Sequence, residues 1–252
     1  DQISPHMQDA LISVEDSRYY EHGGVDMQGI FGALASNVSK GTNRGASTIT
    51  QQFVTNVLAN GSRERGEEAV YNGSKNVSDK VREVRLAIAV ENEMTKDDIL
   101  EGYFNIVSFT GSTYGVQAAA KYLFNVDAKD LNIQQSALLA GLVKGPSVYD
   151  PVTNPDLAVE RRNVVLGTML EHGKIDQAQY DAAVASGLDL SITPTKQGRV
   201  AAEQAPYFCS YVEHLVLNSE EFGATKAERA SVLYRSGLTI KTTLDPAVQQ
   251  AA

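Results

Sequence analysis

The 252-residue sequence lacks several features that define common functional classes. It has a single cysteine, Cys209, so no intrachain disulfide is possible, and no cluster of cysteine and histidine indicates a zinc site. No stretch approaches the roughly 18 apolar residues of a membrane-spanning helix. No signal peptide is recognisable. Because the chain starts and stops in the middle of patterns, we expect it to be a piece of a longer protein.

Positive charge is also scarce. The chain has 22 Lys and Arg residues against 31 Asp and Glu residues, which gives a formal net charge of −9. A surface that binds nucleic acid needs a basic excess, so we expect no nucleic acid partner. The hydrophobic share of 42% is enough for a real core.

Helical patterns dominate the chain. A shift in composition predicts a boundary near residue 190, with one domain over 1–190 and a linker leading to a further domain over 191–252. The polar segment 60–78 predicts a mobile loop, residues 108–113 predict a second loop, and 238–244 alternate as in a β-strand. Helices are predicted over 7–14, 25–40, 48–58, 79–94, 96–104, 114–124, 133–143, 156–171, 176–186 and 207–218.

Two adjacent carboxylates, Glu15 and Asp16, end the first predicted helix. The negative end of the helix dipole lies there and favours a raised carboxylate pKa. Such a position suits a group that accepts and releases a proton. His22 and a glycine pair follow closely. Taken alone, the two carboxylates are more typical of a surface acidic pair before a turn.

A glycine turn leads into a helix that begins with two hydroxyls, Ser47 and Thr48, and continues into two amides, Gln51 and Gln52. Free N–H groups and hydroxyls at a helix N-terminus suit phosphate or sugar oxygens. The alternative is an ordinary capped helix with a polar face.

The helix predicted over residues 79–94 presents Lys80, Glu83 and Ala87 on one face. A cation and an acid therefore lie side by side, and the small Ala87 leaves room above Glu83 for a ligand or another backbone. The alternative is a solvated face with a weak ion pair. Farther on, Tyr103-Phe104-Asn105 begins a segment able to line a cleft.

Together these motifs resemble the peptidoglycan glycosyltransferase domain of class A penicillin-binding proteins, over about residues 3–175. A later match is Arg161-Arg162-x-x-Val165-Leu166. The earlier matches are Glu15, Asp16, His22 and Gly24 in the first motif, with Tyr19 in place of Phe; residues 45–52 in the second; and Lys80, Glu83, Ala87 and Glu91 in the third.

The resemblance implies a mainly α fold, with a lysozyme-like helical lobe and a smaller membrane-apposed lobe, before a short β-containing C-terminal linker. It implies polymerisation of lipid II into glycan strands, with inverting transfer from a polyprenyl-pyrophosphate-linked donor to the acceptor 4-hydroxyl. Glu15 matches the general base. Glu83 matches a second acid that assists the leaving pyrophosphate directly or through a divalent metal, Mg or Mn. No organic cofactor is implied.

The resemblance also implies a set of substrate-binding residues. Lys80 would neutralise the pyrophosphate, and no Ser-x-x-Lys pattern indicates a transpeptidase nucleophile. The remaining substrate-binding residues are Asp16, His22, Ser47, Thr48, Gln51, Gln52, Asn105 and the arginines Arg63 and Arg65, of which either could serve the donor site.

The implied partners are lipid II, the growing glycan chain, the bacterial membrane surface, moenomycin-type inhibitors and other cell-wall synthesis proteins. The implied location is the outer face of the bacterial plasma membrane, with a transmembrane anchor outside this chain.

Two departures from the family pattern concern the donor site: Thr55 stands where a Lys is usual, and Asp79 replaces an Arg. Two other functions remain open at this point. A lysozyme-like muramidase needs only the first motif and has no use for a pyrophosphate pocket. A scaffold with a decayed site would fit the missing Lys at position 55, but not the intact Glu15 and Glu83.

Overall fold

The computed structural model describes residues 2–32, 47–64, 77–111, 113–194, 205–235 and 238–251. The chain divides into two compact units. The first draws on Asp1–Ala59 and Tyr71–Thr193, and the second on Asn60–Val70 and Pro194–Ala252. The break after Thr193 lies beside the boundary predicted near residue 190, whereas no sequence pattern predicts that residues 60–70 belong with the second unit.

Helices account for most of the described chain before residue 194, which confirms the mainly α class. Several begin with strong caps, such as the reciprocal capping box of Thr95 and Asp98. No helix among the described residues is long and apolar enough to cross a membrane. The helices are α1 (Pro5–Glu15), α2 (described over residues 27–32), α3 (Ile49–Glu64), α4 (Val77–Glu93), α5 (Lys96–Ile106), α6 (Val116–Phe124), α7 (Ile133–Leu142), α8 (Pro155–Glu171) and α9 (Gln177–Ala185).

Three helices, α1, α7 and α8, pack against one another in the core of the first unit. α7 is buried from Ser136 to Leu142, because its Ala and Leu side chains are apolar on every side. α1 buries Met7 and Leu11 on the face that its spacing predicts. Each large side chain buried in this way contributes about 1.5–3 kcal/mol. This packing holds the C-terminal end of α1, where Glu15 lies.

Two loop predictions are wrong in part. Residues 60–64 continue α3 and α4 begins at Val77, so only residues 65–76 of the predicted mobile segment 60–78 remain, and these lie outside the described residues. The predicted loop 108–113 contains β1 (Ser108–Thr110), which pairs antiparallel with β2 (Thr113–Tyr114). Strands of two or three residues show no period, so only the pairing reveals them.

The helix predicted over residues 25–40 is described only over 27–32. Met27 and Phe31, on its predicted apolar face, are 57% and 65% exposed. The rest of this prediction lies outside the described residues.

The second unit contains α10 (Pro206–Asn218), α11 (Lys226–Arg235) and α12 (Pro246–Ala251), and α10 packs against α11. The strand predicted over residues 238–244 is wrong, because this segment has no regular secondary structure. An alternating pattern forms a strand only with a partner strand, and the described residues provide none for it.

Candidate active site

A cavity of about 300 Å³ opens in the first unit where α3, α4 and α5 meet the end of α7. Five residues from the second and third motifs line it: Ser47, Gln51, Gln52, Lys80 and Glu83. Its size is at the lower end of the range for ligand sites. The other lining residues are Thr55, Asn56, Tyr103, Val107, Ser108, Val143 and Pro146.

The acid and the cation of α4 form a pair inside this cavity. Lys80 Nζ lies 3.1 Å from Glu83 Oε2, and the Glu83 side chain has 0% exposure. Thr55 Oγ1 lies 3.0 Å from Glu83 Oε1 and 2.9 Å from the Gln51 carbonyl oxygen. The solvated-face alternative is therefore wrong for Glu83, because the carboxylate is buried and bonded rather than exposed.

Lys80 also joins α4 to the start of α3. Its ammonium donates to Ser47 Oγ at 2.8 Å and to Gln51 Oε1 at 3.0 Å. The hydroxyl and amide of the second motif thus meet the cation of the third motif at one point. The Lys80 side chain is 40% exposed, and these acceptors hold its ammonium in place for an anionic ligand that enters the cavity.

Glu15 reaches this cavity indirectly. The carboxylate does not line the cavity, but its Oε2 accepts a 2.8 Å hydrogen bond from Nε2 of Gln52, which does. The hydroxyl of Tyr103 donates to Oε1 of the same glutamine at 2.7 Å. Burial, together with the negative charge of Glu15, raises the pKa of Tyr103 well above its usual value, so the hydroxyl stays protonated as a donor.

Asp16, His22 and Thr48 lie away from the cavity lining and tie the first two motifs together. Asp16 is buried, and its two carboxylate oxygens accept from the Ile49 backbone N–H at 3.0 Å and contact His22 Nε2 at 2.8 Å. Thr48 Oγ1 donates to the Gly24 carbonyl at 2.8 Å. These contacts hold the N-terminus of α3, while the predicted substrate-binding role of the three residues stays a prediction.

Gly24 explains the small residue in the third motif. It adopts φ +74°, and a Cβ built at this position would lie 2.9 Å from the Ala87 carbonyl carbon. The backbone of the first motif therefore lies directly against the backbone of α4 at this residue. A larger residue at position 24 would push α4 away and would be strained at this φ.

The remaining predicted residues are placed elsewhere or not described. Asn105 is exposed and is absent from the cavity lining. Arg63 belongs to the last turn of α3, with a side chain outside the described part of the chain, and Arg65 lies outside it altogether. Their roles stay predictions.

Sequence reasoning missed two apolar walls of the cavity, Val143 and Pro146. They follow α7 in the chain and carry no chemical motif, so only the fold reveals them. It also gave no role to Arg161, whose Nη2 lies 3.7 Å from Glu15 Oε1. The sequence feature that could have pointed to Arg161 is the match of the Arg161-Arg162 pair to the family pattern.

One acidic group outside the cavity has donor atoms close enough for a metal. Atoms of Asp16, His22 and Asp26 lie within 4.8 Å of one another. Asp16 and His22 already bond each other, and Arg18 bonds Asp26. These hydrogen bonds and ion pairs account for the group without an ion.

The site combines a carboxylate next to a cavity wall with a second, buried carboxylate that is paired inside the cavity with a partly exposed lysine. Two carboxylates about a cleft suit acid–base chemistry on a sugar. An ammonium surrounded by hydroxyl and amide groups suits an anionic leaving group.

Comparisons with known proteins identify the family of this chain. The family model described as transglycosylase matches residues 1–170. Penicillin-binding protein 1F of Bacillus subtilis is 34% identical over 252 residues, which is 100% of this chain and 32% of the relative. Penicillin-binding protein 1A of Escherichia coli is 38% identical over 253 residues, 100% of this chain and 27% of the relative.

The crystal structure of penicillin-binding protein 1A from Haemophilus influenzae has 31% sequence identity and a TM-score of 0.39, and it covers 56% of this chain and 20% of that one. The chain thus spans about a third or less of the length of these relatives. The family predicted from the motifs is confirmed, because the family model matches well over half of the sequence. This protein belongs to the transglycosylase family.

Proposed function

We propose that this chain is a peptidoglycan glycosyltransferase that polymerises lipid II into glycan strands. The observation that carries the proposal is that the second and third motifs meet at one cavity, to which the first motif is connected by a hydrogen bond. Lys80 and Glu83 of α4 join Ser47 and Gln51 of the second motif, and Gln52 connects the same wall to Glu15. The family match and the penicillin-binding names of the relatives support it.

In this reaction Glu15 acts as the general base. Its carboxylate takes the proton from the acceptor 4-hydroxyl as the oxygen attacks the anomeric carbon of the donor. The bond from that carbon to the pyrophosphate oxygen breaks, the anomeric configuration inverts, and the electron pair leaves with the lipid pyrophosphate. Glu15 is 16% exposed, so the carboxylate is accessible to a substrate hydroxyl.

The α4 pair handles the leaving group. Lys80 is the cation of the described cavity lining, and its ammonium would neutralise the developing negative charge of the pyrophosphate. Glu83 holds Lys80 in position through their 3.1 Å contact.

The predicted divalent metal, Mg or Mn, is compatible with the donor set. Glu83 offers a carboxylate beside the Thr55 hydroxyl and the Gln51 amide oxygen, and oxygen ligands suit these ions. One carboxylate completed by substrate phosphates is a common way to hold Mg²⁺. When bound, the ion would add positive charge beside the leaving pyrophosphate.

The two alternative functions explain less of the cavity. A muramidase would use Glu15 alone, and its reaction gives no role to the Lys80–Glu83 ion pair. A decayed scaffold would not need Glu15 and Glu83 to keep hydrogen-bonded partners.

The wider setting is part of the same proposal. We expect the protein to work at the outer face of the bacterial plasma membrane, anchored by a segment outside this chain. Its partners would be lipid II and the growing glycan, and moenomycin-type inhibitors would compete for the site. Other cell-wall synthesis proteins would act beside it.

The test is incubation of the protein with lipid II, with the products separated on a gel. Glycan polymer supports the proposal, shortened glycan chains would support a muramidase, and unchanged lipid II would support a scaffold. Glu15→Gln should fold normally and make no polymer, whereas Glu83→Gln should lose most turnover and keep part of its lipid II binding. Wild-type turnover by either variant would remove that residue from the mechanism.

A further inference from the structure

The two oxygens of the Glu15 carboxylate have different partners. Oε2 accepts from Gln52 Nε2 at 2.8 Å, and Oε1 lies 3.7 Å from Arg161 Nη2. The first contact is a hydrogen bond, while the second is longer than a hydrogen bond and acts through charge. A carboxylate held at both oxygens cannot rotate freely about its last bond.

The orientation of the Gln52 amide is itself determined by a neighbour. Tyr103 is fully buried and donates to Gln52 Oε1 at 2.7 Å, which directs the amide N–H₂ toward Glu15. If the amide were turned over, its oxygen would face the carboxylate and repel it. The Tyr103 hydroxyl therefore controls a hydrogen bond to a residue that it does not touch itself.

Arg161 reaches Glu15 from α8 and has two longer contacts of its own. Its Nε donates to the Gly141 carbonyl at 3.4 Å, and its guanidinium lies 5.9 Å from the ring centroid of Tyr149. The side chain is 10% exposed. A cation in this position stabilises the negative charge of Glu15 and draws one oxygen toward α8.

From this geometry we infer that Tyr103, Gln52 and Arg161 are positioning residues that fix the direction of the Glu15 carboxylate for proton transfer. The inference rests on the proposed function, in which Glu15 is the base. Arg161 is absent from the cavity lining, so it acts on the reaction through Glu15 rather than through substrate.

Steady-state kinetics with lipid II test the inference. Arg161→Gln should lower kcat roughly 10- to 100-fold, because a small misplacement of a reacting group costs up to about 100-fold, while KM stays within about twofold. Arg161→Lys keeps the charge and should recover part of the loss. Tyr103→Phe keeps the ring but loses the donor, and kcat should fall about tenfold.

Lys174→Gln is the matched control. Lys174 follows α8 and pairs with Asp9 of α1 at 2.9 Å, so its removal also breaks a contact to α1 but leaves Glu15 untouched. Its kcat should equal that of the wild type. Thermal unfolding of every variant shows which of them keep the native fold. If Arg161→Gln and Tyr103→Phe changed KM alone, or kept the wild-type kcat, the inference would be overturned.

A double-mutant cycle separates this inference from the proposed function. If the wild type fails to polymerise lipid II, the proposed function is wrong. The interactions of Glu15 with its positioning residues can still be measured from free energies of unfolding. Glu15→Gln and Arg161→Gln should then show a non-zero coupling energy, and the same holds for Glu15→Gln with Tyr103→Phe. If the changes in unfolding free energy are additive in both cycles, Arg161 and Tyr103 do not interact energetically with Glu15.

Discussion

At the residue scale, Tyr19 shows what one added oxygen does in a buried position. It stands where the family motif has Phe, and its hydroxyl donates to the Lys96 carbonyl at 2.7 Å. The Lys96 ammonium lies 4.3 Å from the centroid of the same ring. Tyr19→Phe keeps the ring and loses the hydrogen bond, so we expect the free energy of unfolding in urea to fall by about 1 kcal/mol.

Tyr20→Phe is the control for this change. Tyr20 is 55% exposed and donates to Asp97 Oδ1 at 2.8 Å, so solvent replaces the lost bond. We expect a change within about 0.5 kcal/mol. Equal effects of the two substitutions would contradict the role given to the buried Tyr19 hydroxyl.

Thr55 is the residue at which the donor side departs from the family. Its hydroxyl bonds Glu83 Oε1 at 3.0 Å, where the usual Lys would place an ammonium. Thr55→Lys should tighten the binding of a short polyprenyl pyrophosphate about tenfold in calorimetry. A charge-assisted hydrogen bond contributes roughly 1.5–3 kcal/mol, and the desolvation of the new ammonium offsets part of it.

Thr55→Val separates charge from shape. It removes the hydroxyl without adding a cation, so binding of the same pyrophosphate should weaken or stay unchanged. If Thr55→Lys and Thr55→Val bind the pyrophosphate equally well, the absence of a cation at position 55 does not determine the affinity of this site.

At the scale of elements, the neighbouring arginines of α8 serve different helices. Successive residues of a helix point about 100° apart, so Arg161 faces Glu15 while Arg162 faces the end of α9. Arg162 is buried and donates to the carbonyls of Val184, Ser186 and Gly187 at 3.3, 3.1 and 2.8 Å. Burial lowers the pKa of Arg162, although the group remains a cation.

Arg162→Met should therefore destabilise the fold through α9. The side-chain stem still packs, but carbonyls at the negative end of the helix lose their donor. We expect a loss of about 2–4 kcal/mol in chemical unfolding. The unfolding free energy of Arg162→Lys should lie between those of the wild type and of Arg162→Met, because one ammonium cannot reach all three acceptors. A loss under about 0.5 kcal/mol for the Met variant would show that water replaces the guanidinium.

The sequence predicted some elements well for reasons that are local. The helices α1 and α5 depend on side-chain spacing and caps within a few positions of one another. The β1–β2 hairpin and the false strand over residues 238–244 depend on whether a partner strand exists, which no local pattern records. The predicted loop after residue 60 failed because polar residues continue α3 for another turn.

At the scale of the whole first unit, the motifs predicted which residues lie near one another. They did not predict which of them line the cavity and which support the helices around it. Lys80, Glu83 and Gln51 meet in the cavity. Asp16 does not line the cavity and instead accepts a hydrogen bond from the start of α3. Arg161 lies far along the chain from Glu15, and only the packing of α8 on α1 brings them together. Such long-range contacts have no signature in spacing.

Stability at high pH depends on two buried tyrosines of this unit. Burial raises the pKa of Tyr19 and of Tyr103 above the usual 10.0. In the folded state both therefore keep their protons above pH 10, whereas the unfolded chain releases them. Because the unfolded state then binds fewer protons, stability is retained below about pH 10 and falls as pH rises further, by about 1.4 kcal/mol per pH unit for each tyrosine.

Urea unfolding of the wild type and of Tyr19→Phe, from about pH 9 to about pH 11, measures this directly. The variant lacks one of the two ionising groups, so its loss of stability above pH 10 should be less steep by about 1.4 kcal/mol per pH unit. The exposed Tyr20, whose pKa is raised to about 12, is common to both proteins and cancels in the comparison. Parallel curves would mean that Tyr19 ionises as readily in the folded chain as in the unfolded one.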